Sequence, residues 1–86
     1  YSSATATNAT AVGFDSDATG IASFAGGVGS NAAGASSVAV GDNADAIGDN
    51  TVAVGVNAYA ATNNGVAIGN SAYSGSTNTT AVGNQA

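Results

Sequence analysis

Ser37-Val38-Ala39-Val40-Gly41-Asp42-Asn43-Ala44-Asp45-Ala46-Ile47-Gly48-Asp49-Asn50 carries one short pattern twice. Val38-Ala39-Val40-Gly41-Asp42-Asn43 and Asp45-Ala46-Ile47-Gly48-Asp49-Asn50 each read as a short strand followed by a Gly/Asp/Asn turn. Within the first strand, Val38 and Val40 share one face and Ala39 takes the other, the period-two signature of an extended chain. In the second, Ala44 and Ala46 turn one way and Asp45 the other.

The fourteen-residue unit recurs along the chain without slippage. Its marker is a glycine column: Gly13, Gly27, Gly41, Gly55, Gly69 and Gly83. Two residues earlier stands alanine each time, at Ala11, Ala25, Ala39, Ala53, Ala67 and Ala81. The residue between is Val12, Gly26, Val40, Val54, Ile68 or Val82, and three before the glycine stands Thr10, Phe24, Val38, Val52, Val66 or Thr80. Small residues follow three and five places later, as in Ala44 and Ala46 or Ala58 and Ala60. Disordered low-complexity sequence does not hold such columns in register. Two strands and two tight turns per unit make one coil of a β-solenoid, whose backbone pairs with the coils above and below. Six coils at the usual inter-strand distance give a length of about 29 Å.

Composition agrees with a thin interior. The 86 residues contain no Leu, Met, Trp or Cys, and much of the apolar content is alanine. Small side chains let two layers of backbone lie close together. The β-branched residues of the first strand are expected to point into the coil, opposite the small columns. The other orientation puts Val and Ile on an inter-chain interface with alanine inside, and period-two alternation fits both. A coil this thin buries little by itself, so neighbouring chains in a three-fold arrangement are expected to supply the missing burial. The repeat-core or interface set is therefore Ala11, Val12, Gly13, Ala25, Gly27, Val38, Ala39, Val40, Gly41, Val52, Ala53, Val54, Gly55, Val66, Ala67, Ile68, Gly69, Ala81, Val82 and Gly83. Asn8, Asn50, Asn64 and Asn78 precede this strand and read as turn residues tolerating positive φ, stacked along the solenoid.

Charge excludes whole classes of function. Lys, Arg and His are absent and the formal net charge is −5. Nucleic acid and anionic lipid need cations to neutralise phosphate, so neither is an expected partner. No apolar run approaches the ~20 residues that span a bilayer. Catalytic His, Cys, Lys, Glu and Arg are all missing, so no enzyme, cofactor or catalytic residue is expected. Gly27-Val28-Gly29-Ser30-Asn31-Ala32 superficially fits a dinucleotide fingerprint, but no helix follows to receive the pyrophosphate. Asp15-Ser16-Asp17-Ala18-Thr19-Gly20 begins like a calcium loop. The twelfth position is Gly26, where the loop needs a bidentate Glu. Asp15 and Asp17 thus read as solvated turn residues, and no metal site is assigned. Tyr59 and Tyr73 occupy the outward column of Asp45 and are the candidates for partner contacts, against the plainer reading of a cross-strand pair that stiffens the sheet.

Ser37-Val38-Ala39-Val40-Gly41, Thr51-Val52-Ala53-Val54-Gly55 and Gly65-Val66-Ala67-Ile68-Gly69 resemble the SVAIG-type repeat of YadA-like heads in trimeric autotransporter adhesins. The resemblance implies an all-β, left-handed parallel β-roll assembled as a homotrimer, with residues 1–86 forming a single head segment of about six coils. It also implies a place on the bacterial cell surface, attachment to host cells or extracellular matrix, and a membrane tether only through an anchor domain absent from this chain. Ser23-Phe24-Ala25-Gly26-Gly27 departs from the pattern, and Phe24 is expected to cover for the side chain missing at Gly26. Two other readings accompany this one: an ice-binding or similar surface-binding solenoid, and a passive trimeric fibre spacer. Ice binding wants a regular threonine array, whereas Thr5, Thr7, Thr10, Thr51 and Thr80 fall in several columns.

Overall fold

A computed structural model describes residues 2–86; Tyr1, the first residue of the expected 1–86 segment, lies outside the described residues. Among the described residues twelve strands follow one another in chain order, alternately two and three residues long. The odd-numbered strands are β1 (Ser3–Ala4), β3 (Asp17–Ala18), β5 (Asn31–Ala32), β7 (Asp45–Ala46), β9 (Tyr59–Ala60) and β11 (Tyr73–Ser74). The even-numbered strands are β2 (Thr10–Val12), β4 (Phe24–Gly26), β6 (Val38–Val40), β8 (Val52–Val54), β10 (Val66–Ile68) and β12 (Thr80–Val82). Each set forms its own six-stranded parallel sheet. The register is the sequence repeat itself, since Val38 pairs with Val52, Ala39 with Ala53 and Val40 with Val54. The protein is a parallel β-solenoid of fourteen-residue coils.

Hydrogen bonding between coils continues through the turns. Gly55 N–H donates to Val40 O at 2.8 Å in the even sheet, Asp45 N–H to Ala58 O at 2.8 Å in the odd sheet, and Asn57 N–H to Asp42 O at 2.9 Å between turns. Backbone groups that an isolated loop would leave to water are thereby satisfied by the neighbouring coil. The turns themselves are four-residue reversals such as Gly41–Ala44, closed by Ala44 N–H to Gly41 O at 3.3 Å. Their third residue lies in the left-handed region: Asn43 has φ 59° and Asn57 has φ 61°. The turn before each even strand repeats this at Asn8, Ala22, Ser36, Asn50, Asn64 and Asn78, with φ from 56° to 63°. Asparagine tolerates that conformation better than most residues.

The glycine column meets two demands at once. Gly41 has φ 130°, and a Cβ there would stand 2.5 Å from Gly55 O of the next coil. Gly34, half a coil away, has an ordinary φ but no room, because its Cβ would overlap the carbonyl of Gly48. Conformation requires the first glycine and the stacking of coils requires both.

The interior corrects the expected direction of the valines. Ala25, Ala39, Ala53 and Ala67 of the even strands are fully buried, facing Ala44, Ala46, Ala58, Ala60 and their equivalents on the odd side. Val38, Val40, Val52 and Val54 point the other way and are only half-buried. Thickness explains the choice. The Cα trace measures 29 × 21 × 11 Å, and its thinnest dimension includes the pleat and the turns, so the two sheets lie closer together than the ordinary spacing of about 10 Å that larger side chains fill. Methyl and hydroxymethyl groups fill such a gap, whereas isopropyl groups would force the sheets apart.

Ser and Thr share this interior because they close turns. Ser37 Oγ donates to Gly34 O at 2.6 Å, Thr51 Oγ1 to Gly48 O at 2.7 Å, and Ser16 Oγ to Gly13 O at 3.0 Å. A buried hydroxyl paired in this way avoids the desolvation penalty of an orphan. Ser23, in the equivalent position beside Phe24, is 2% exposed and its Oγ has no partner.

Candidate binding surfaces

The alternation that buries alanine presents two outer faces of opposite character. On the even sheet the outward columns are Thr10, Phe24, Val38, Val52, Val66 and Thr80, and Val12, Gly26, Val40, Val54, Ile68 and Val82. None of the five aspartates lies in these strands. At the ends of the stack Val12 and Val82 are 58% and 64% exposed. The one irregular coil is repaired locally. The Phe24 ring lies across the gap at Gly26, with Cε2 3.1 Å from where a Cβ would sit. The result is an unbroken apolar strip along the solenoid, of the kind monomeric proteins rarely leave in water.

The odd sheet turns outward a mixed surface. One column runs Ser3, Asp17, Asn31, Asp45, Tyr59 and Tyr73. Beside it run Thr5, Thr19, Ala33, Ile47, Ala61 and Gly75. Tyr59 and Tyr73 stack with ring centroids 5.2 Å apart and planes 10° from parallel. The Tyr73 ring also leans over Gly75, its Cε2 3.0 Å from where that residue's Cβ would be. Tyr59 is 38% exposed and Tyr73 56%. Asp45, register partner of Tyr59, is half-buried, and burial raises its carboxyl pKa above the ordinary aspartate range. Threonine forms no array on either face: Thr5 and Thr19 adjoin on the odd sheet, while Thr10 and Thr80 stand at opposite ends of the even one.

The turns carry structural polar groups. Asp49 Oδ1 accepts from Ala35 N–H, Asn63 Oδ1 accepts from Asp49 N–H, and Asn64 Nδ2 donates to Asn78 Oδ1, each at 3.0 Å across one coil. These side chains tie coil to coil. Gly27–Ser30 is likewise a turn between β4 and β5, closed by Ser30 N–H at 3.3 Å and Ser30 Oγ at 3.0 Å on Gly27 O. Among the described residues there is no enclosed pocket and no cluster of three metal-ligating side chains. Two features escaped sequence reasoning: the hydroxyl-to-carbonyl turn closures and the burial of Asp45. The first had a visible signal, since Ser or Thr at the fourth turn position recurs in the chain. The second depends on neighbours a coil away.

Residues 1–16, 18–44 and 46–72 match the family model of the YadA head domain repeat. No individual curated protein matches the chain.

Proposed function

This chain belongs to the YadA head repeat family, whose members form the heads of surface-exposed trimeric autotransporter adhesins, and from that premise we propose that it is one head segment of such an adhesin. In this reading residues 1–86 are a single left-handed segment, and three copies pack their even-sheet faces together around a common axis. The odd-sheet faces, with Tyr59 and Tyr73, then turn outward towards host cells or extracellular matrix. The role is structural and adhesive, without catalysis. An anchor in the bacterial outer membrane is supplied by another part of the protein.

The observation that carries this reading is the uncovered apolar strip of Val12, Phe24, Val38, Val40, Val52, Val54, Val66, Ile68 and Val82. Burying a methyl group stabilises by about 0.8 kcal/mol, less than the ~1–2 kcal/mol of backbone entropy lost by one ordered residue. An alanine core therefore needs further burial, and a second valine surface supplies it without opposing charge. Clustered fibres make weak single contacts sufficient for attachment through avidity.

Immobilised collagen, fibronectin and laminin test the adhesive half of the reading. Retention of the purified protein on at least one of them is the expected result. Failure on all three leaves a passive fibre spacer.

A further inference from the structure

We propose that the step between Asp45 and Tyr59 on the outer face of the odd sheet is a seat for an arginine side chain of a partner polypeptide. This deepens the adhesive reading above, on which it rests, by naming the chemistry of the partner.

The step is built by the repeat. Tyr73 and Tyr59 occupy successive coils of one outward column, and their stacked rings cover one another on one side. The coil on the other side of Tyr59 carries Asp45 at the register position. Aspartate is much shorter than tyrosine, so the face of the Tyr59 ring turned away from Tyr73 looks over the lower coil that carries Asp45 and Ile47. Strands in a sheet lie about 4.8 Å apart, so a planar group stacked on that face lies over the Asp45 coil, within reach of its carboxylate. Ile47, 36% exposed and two residues along the same face, borders Asp45 with apolar surface. A guanidinium fits both surfaces, because it stacks on an aromatic face and forms paired hydrogen bonds to a carboxylate in its own plane.

Charge completes the case. Asp45 is half-buried, and its carboxylate has no hydrogen-bond partner among the described residues. The chain has no Lys, Arg or His, so neither this chain nor a second copy of it carries a side-chain cation for Asp45. Any side-chain cation that meets Asp45 therefore comes from outside these 86 residues. A bound metal ion suits the site less well, because Asp17 stands two coils away in the column and Asp42 and Asp49 lie in turns. The aromatic face offers no oxygen-rich cage. The other carboxylates make the whole surface negative and draw basic segments towards it at low salt.

The test is a titration of the 86-residue chain, its assembly first measured by mass, with a Gly/Ser peptide carrying two arginines. A twin peptide with citrulline in place of arginine removes the charge and keeps the shape. The readout is the NMR signals of the Asp45 amide and the Tyr59 and Tyr73 rings. The arginine peptide is expected to shift these signals and the citrulline peptide to leave them in place. Asp45→Asn should weaken binding about tenfold. Asp42→Asn, which removes the same charge from an exposed turn, should weaken it less than about twofold. Tyr59→Ala should also weaken binding and Tyr59→Phe should keep it, which separates stacking from any disturbance of the fold. Equal losses in Asp42→Asn and Asp45→Asn would overturn the proposal, as would equal binding of the two peptides or shifts confined to other residues. The step lies within one chain, so a monomeric mass refutes the trimer while the titration still decides the arginine seat.

Discussion

The two sheets of this solenoid share one inner design and diverge outside. Inward, both offer alanine, serine, threonine or glycine, because a whole trace only 11 Å thick leaves a gap for little else between its sheets. The even sheet carries valine at seven of its twelve outward strand positions and no charged residue at any, while the odd sheet changes outward residue from coil to coil: Asp17, Asn31, Asp45, Tyr59, Tyr73. A surface that packs against copies of itself has reason to repeat. A surface that meets something else is free to vary. Under the proposed function, the fold separates assembly from recognition on opposite sides of an object one coil thick.

The inner design is the least tolerant part. Gly41→Val is expected to have the largest effect, since it places a side chain at φ 130° and against Gly55 O. Loss of more than about 4 kcal/mol, or failure to fold, should follow in thermal unfolding by circular dichroism. Gly26→Val sharpens the contrast. That glycine is covered by Phe24 on the outer face, and the pair of changes Phe24→Val and Gly26→Val restores the regular column, so the double variant should unfold near the wild-type temperature.

Next in size is a charge on one outer face against a charge on the other. Val52→Asp with Val54→Asp should disperse the assembly to single chains in sedimentation at micromolar concentration, because burying unpaired carboxylates costs several kcal/mol per chain. Asn31→Asp with Ala33→Asp on the odd sheet should leave the mass unchanged. Equal dispersal by both pairs would break the division between the faces.

A smaller comparison lies inside the coil. Ser37→Ala removes the bond to Gly34 O and should destabilise by about 1 kcal/mol. Ser23→Ala removes a buried hydroxyl without a partner and should be neutral or stabilising in the same denaturant titration.

The smallest effect concerns Asp45. Its folded-state pKa is raised by burial, so folding favours the protonated form. Its contribution to stability is therefore fully present below the unfolded-state pKa and is lost as pH rises through the higher folded value. Asp45→Asn should stabilise the protein slightly at pH 7, within about 0.5 kcal/mol, and the gain should vanish near pH 3. A gain that persists at low pH would point to a cause other than desolvation of the carboxylate.

The period was legible because glycine at Gly13 and its five successors answers a backbone demand that recurs once per coil. The asparagines were legible for the same reason. The direction of Val38 and Val40 was not, since alternation looks the same whether read from inside or outside. Only the distance between the sheets decides it, and that distance is a property of the whole coil. Tyr59 and Tyr73 could be placed in one column by counting fourteen, but the parallel stacking of their rings could not. Asp45 stands between Asn31 and Tyr59 of the adjoining coils, and its own stretch of sequence carries no mark of its burial.

Light scattering on a size-exclusion column tests the central claim most directly, that the valine face joins copies of this chain. A β-rich species of three 7.9 kDa chains, about 24 kDa in all, is the expected result. A folded β-rich species of 7.9 kDa would contradict it, because the apolar strip would then be stable in water without a partner.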